Sequence, residues 1–128
     1  MGKYGQAAIE AVSLVSTNPL VTPRDAWNQA TTEIFGTGTS SQLKSCPRST
    51  FLGLCEEGYI KGVAQGNHHL KSTKNKEYGI KAVAILKKDP SLVHDVNHLW
   101  DKVVEREVKA HNSQMDIVVT LWNSNLLV

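Results

Sequence analysis

TPRDAWNQATTEIFG, residues 22–36, decides how the rest of the chain is read. Thr22 is of the type that caps a helix start, and Pro23 suits the first helical position, where an N–H would have no partner anyway. Ala26, Trp27, Ala30 and Ile34 recur at steps of three and four residues, one face of a helix, and Gly36 supplies the stop. The same period extends outward from this segment. Upstream, Tyr4, Ala7, Ala8, Ala11, Val12 and Val15 make a first stripe that ends before Asn18-Pro19. Downstream, Cys46-Pro47 opens a third helix with Phe51, Leu52 and Cys55 inward and Gly58 available for a left-handed turn. Tyr78, Ala82, Ile85 and Leu86 predict a fourth helix, ended by Asp89-Pro90. Asp89 is read as the cap of a fifth, with Leu92, Val96, Leu99, Trp100 and Val103 as the longest stripe. A last helix starts near Ser113 and carries Met115, Val118, Val119 and Trp122.

Six helices with almost no strand alternation predict an all-α fold, a compact bundle forming a single domain over residues 1–128. The exception is the loop 59–72, where Gly62, Gly66 and Asn67 break any helical period; a short strand at Tyr59–Val63 or a small hairpin is expected there. Gly36–Ser41 reads as a flexible polar loop.

The chain has 128 residues, 41% hydrophobic and 20% charged, the mix of one ordinary globular domain. A formal charge of +2 is too close to neutrality for whole-molecule attraction to nucleic acid or anionic lipid. No apolar run is long enough to cross a bilayer, the opening MGKYGQAAIEAV lacks a secretory h-region, and Gln6 spoils a myristoylation signal, so a cytoplasmic location without membrane contact is expected. The two cysteines, Cys46 and Cys55, make neither a zinc cage nor a CxxC pair, and on one helix they stand too far apart for a disulfide. The aliphatic stripes account for the apolar residues as core, so no cofactor is called for.

Charge is unevenly spread. Between residues 61 and 88 seven lysines face the single acid Glu77, whereas from Asp89 onward six acids face Lys102, Arg106 and Lys109. A phosphate-binding surface is one reading. The plainer one, lysines attracted to the neighbouring acidic segment, is preferred because no aromatic residues interleave the lysines.

The most chemically loaded stretch is GTGTSSQLKSCPRST, residues 36–50. A helix start points unpaired N–H groups outward with positive partial charge, so a phosphate or carboxylate can settle there. Lys44 and Arg48 would grip it, with Ser40, Ser41 and Ser45 as hydroxyl partners. It is not a phosphate-binding Walker loop, since GxxxxGK[ST] is absent. The alternative is that Ser45 or Cys46 simply caps the helix. At the same place Cys46 is a candidate nucleophile, because a helix dipole and two cations favour a thiolate; it would need one of His68, His69, His94, His98 or His111 as base. On the fifth helix His94, His98, Asp101 and Glu105 share a face at ligand spacing, but that face lies opposite the apolar stripe, and no metal is expected there.

AIEAV, the block PRDAWNQATTEIFGTGTSSQLKSCPRSTFLGLCEEGYIKGV and NSQMDIVVTLW together resemble a family of small bacterial proteins of unknown function, over nearly the full chain. The resemblance implies no activity, ligand or catalytic residue. Three functions are therefore carried forward. The leading one is a non-catalytic binding module for a small anionic ligand at Lys44–Arg48. The others are a cysteine-dependent enzyme using Cys46 and a helix-turn-helix nucleic-acid binder built on the second and third helices. The large apolar residues Trp100, Trp122, Leu126, Leu127 and Val128 also leave room for a homodimer contact.

Overall fold

The computed structural model describes residues 2–68, 70, 73–105, 107 and 109–128. His69, Lys71 and Arg106 of the sequence reading lie outside the described residues. Six α-helices follow in order: α1 (Lys3–Thr17), α2 (Pro23–Phe35), α3 (Ser45–Glu56), α4 (Lys74–Lys88), α5 (Val96–Val104) and α6 (Gln114–Asn123), with a 3-10 turn at Pro90–His94. The architecture is a helical bundle, with no sheet among the described residues.

Helix α1 packs mainly on α2 and α6, and α3 mainly on α4. The stripes meet in one core in which Trp27 and Phe51 stack at 5.2 Å between ring centroids, and Ala8, Leu52, Leu86, Leu99, Ile117 and Leu121 have no exposed surface. Burying each large aliphatic side chain here contributes roughly 1.5 to 3 kcal/mol. Thr22 caps α2 as its type predicts, accepting the Asp25 N–H at 3.1 Å.

The seam between α1 and α6 is unusually close. Gly2 and Gly5 face Asp116 and Thr120, and a Cβ at Gly5 would overlap the Thr120 hydroxyl. The absence of side chains lets the Asp116 carboxylate reach the start of α1. Its Oδ1 accepts from the Gly2 N–H at 3.0 Å and its Oδ2 from the Gly5 N–H at 2.8 Å, while Thr120 Oγ1 donates to Oδ1.

Three expectations need correcting. Residues 59–63 form neither a hairpin nor a regular strand, because their partner is distant in sequence. A single antiparallel bridge joins Ile60 to Leu127, closed by Lys61 N–H to Leu126 O and Val128 N–H to Tyr59 O. The fifth helix is two elements. Asp89 precedes the 3-10 turn, and Asp95, whose side chain accepts the His98 N–H, caps α5. That joint separates His94, in the 3-10 turn, from His98 and Asp101 of α5, and Glu105 already terminates α5 with φ 57°, so the four do not form one helical row. The loop 36–44 is anchored, too. Gln42 is buried, donates from Nε2 to Thr31 Oγ1 and accepts the Gly38 N–H, and the Gln42 N–H is itself received by Thr39 Oγ1.

Within the lysine-rich segment, two of the described lysines reach acids from beyond Asp89 and one reaches acids of α3. Lys74 pairs with Glu107, Lys81 with Glu105, and Lys76 with both Glu56 and Glu57. Trp100 and Leu127, two of the residues set aside for a dimer contact, are buried within the chain, whereas Val128 stays exposed. Among the described residues no helix is long and apolar enough to cross a membrane.

Candidate functional site

The loop anchored by Gln42 delivers the chain to the start of α3, where Lys44 takes the cap position. A lysine has no acceptor to offer, and no side chain caps this helix. Ser45 and Cys46 occupy the first two helical positions instead of capping, because α3 begins two residues earlier than Pro47 suggests. With Pro47 contributing no N–H, the Ser45 and Cys46 N–H groups are the open donors, and neither meets a protein acceptor among the described residues. The first turn holds no acid.

Two basic residues, Lys44 and Arg48, stand at the cap and the fourth helical position. The Lys44 ammonium lies 5.8 Å from the centroid of the Tyr4 ring of α1, a cation-π contact. Tyr4 is fixed in turn by donating its hydroxyl to Ser41 O at 2.8 Å and by packing on Phe35 at 4.7 Å. Arg48 is half-buried, and among the described residues neither it nor Lys44 pairs with a carboxylate. Ser40 and Ser41 lie exposed on the preceding turn, and Ser45 is exposed at the helix start. Lys44, Ser45, Cys46 and Arg48 thus occupy the cap and the first, second and fourth positions of α3.

Cys46 is half-buried and Cys55 buried, and both are free. Burial drives the Cys55 thiol well above its ordinary range, which makes it inert. Among the described residues no histidine hydrogen-bonds the Cys46 sulfur. His111 Nε2 accepts the Met115 N–H at 3.1 Å, and His68 is tied through its N–H to Glu56 Oε2 and through its carbonyl to Arg24. Helix α3 buries every residue from Thr50 to Cys55, and Glu56, next along the helix, is held by Lys76 and the His68 N–H. Those contacts keep the Glu56 carboxyl below its usual range even though its burial works the other way.

A second feature escaped the sequence reading. Between α1, α5 and α6 lies a cavity of about 360 Å³. Val93, Val96 and Val119 form its apolar wall, and His111, Asp116 and Thr120 its polar side. Burial pushes the His111 pKa down; Asp116 opposes that shift and Lys44 adds to it. Only the Asp116–Thr120 spacing of four residues on α6 hinted at a shared face; nothing local pairs those residues with Gly2 and Gly5. Among the described residues no three His, Cys, Asp or Glu side chains gather as a metal ion would need.

A model of one protein family matches residues 1–128, the whole chain. The chain belongs to DUF6979, a family of unknown function. No curated protein and no solved structure matches it. The full-length match agrees with the resemblance noted from the quoted blocks, and membership of DUF6979 brings no ligand or activity with it.

Proposed function

We propose that this chain is a non-catalytic binding module that holds an anionic group, a phosphate or a carboxylate borne by a small ligand, at the start of α3. The observation that carries the reading is the contrast between two helix starts. That of α1 is filled by the Asp116 carboxylate, while that of α3 has no side-chain cap, no acid in its first turn, and Lys44 and Arg48 at the cap and fourth positions. A carboxylate or phosphate there would meet the Ser45 and Cys46 N–H groups, the first two helical positions, whereas Asp116 takes the cap and third-position N–H groups of α1. The cysteine enzyme and the helix-turn-helix reader have less support, the first because no base meets Cys46 among the described residues and the second because α3 is buried over residues 50–55.

The test is thermal unfolding in inorganic phosphate and in adenosine monophosphate against chloride at matched ionic strength. A ligand at a hundred times its Kd adds about 2.7 kcal/mol to stability. The midpoint rises for the native chain, and Arg48→Ala removes the rise; equal midpoints in all three solutions would discard the reading. We further take the working compartment to be the cytoplasm, where free thiols such as these persist. A homodimer through the exposed Val128 end is a weaker corollary, checked by sedimentation.

A further inference from the structure

We propose that the cavity between α1, α5 and α6 is a binding site for a primary amine on a short branched aliphatic body, with its ammonium on Asp116. At about 360 Å³ the space lies at the small end of the range for ligand pockets. Its wall has the division such a molecule needs. Val93 from the 3-10 turn, Val96 from α5 and Val119 from α6 present branched methyl groups to the apolar body. Asp116, Thr120, His111 and Asn123 are the polar side chains of the lining.

The charge decides the head group. Asp116 is the one formally charged side chain among the described lining residues. Its Oδ1 already accepts two hydrogen bonds and its Oδ2 one. A carboxylate has about four acceptor positions, so Oδ2 retains room for a further donor. The three donors now on it are neutral groups, and the roughly half positive charge of the α1 start offsets only part of its negative charge. His111, an exposed residue, accepts the Met115 N–H at its Nε2, a role that an unprotonated ring nitrogen fills, and so brings no fixed charge against a cation. Lys44, whose charge reaches His111, is not among the lining residues. An anionic guest would meet Asp116 directly. A neutral guest would forgo the charge-assisted hydrogen bond.

Three molecules with one aliphatic body separate these cases: 3-methylbutan-1-amine, 3-methylbutan-1-ol and 3-methylbutanoate. Each is titrated into the full chain while amide shifts are followed by heteronuclear NMR. The amine is expected to give saturable shifts at Val96, Val119 and Thr120, with an apparent affinity at least about tenfold above that of the alcohol, and the acid none. Val119→Phe fills the space and should abolish the amine shifts at an unchanged fold. If that variant does not fold, Val93→Leu should weaken amine binding. Equal binding of amine and alcohol, preference for the acid, or the absence of saturable shifts at those three residues would each overturn the proposal. Phosphate binding at Arg48 is read separately, so either site can fail without the other.

Discussion

Helices α1 and α3 start in opposite ways. At α1 the N–H groups of Gly2 and Gly5 are received by a carboxylate from the far end of the chain, and two glycines clear the way for it. At α3 the cap position is a lysine, the third residue is a proline, and no side chain answers the open donors. The electrostatics are the same at both ends, since each helix start carries about half a positive charge. One is neutralised by the fold, and the other is left for something outside it. The comparison teaches that a helix end of this kind is a matter of what the rest of the chain brings to it, rather than of the helix's own sequence.

The comparison breaks most visibly at the α1 seam. Gly5→Val forces a branched side chain into the Thr120 hydroxyl, and overpacking of this kind costs about 3 kcal/mol. Urea unfolding should register the full loss, and an unchanged midpoint would mean that α1 does not depend on this close approach. The converse experiment gives α3 what α1 already has. Lys44→Asp supplies a capping acceptor and should stabilise the fold by about 1 kcal/mol, while eliminating the phosphate-dependent rise in melting temperature. A variant that is stabilised yet still responds to phosphate would separate the open donors from the anion site.

The smallest effect concerns acid. Glu56 is held below its usual carboxylate range by the His68 N–H and Lys76, against the opposing pull of burial. Its contribution is therefore complete above the ordinary carboxylate pKa of about 4.3 and disappears as pH falls through the lower folded value. Glu56→Gln should flatten that part of the stability profile. The α1 seam, which does not involve Glu56, should leave the difference unaffected.

Much of this molecule can be read from its residues, and the limits have physical causes. The stripes of α1, α2 and α4 and the Thr22 cap were legible because they depend on neighbours three or four positions away. The joint at Asp95 was not, because a 3-10 turn followed directly by α5 keeps Leu92, Val96 and Leu99 at nearly helical intervals. The anchored loop was hidden because a glutamine such as Gln42 is seldom buried, and its partner Thr31 belongs to another element. For the site the same division holds. Lys44, Ser45, Cys46 and Arg48 are adjacent in sequence and could be named together. The Asp116 cap and the cavity beside it depend on a contact between the first helix and the last, for which no local pattern exists.

That contact also has a consequence in time. The seam of Gly2 and Gly5 with Asp116 and Thr120 joins segments separated by most of the polypeptide, so it can close only after the intervening chain has been drawn together. Contacts made on the native side of the folding barrier act as a latch on escape. Damage to this one should therefore leave refolding nearly as fast as before and shorten the lifetime of the native state.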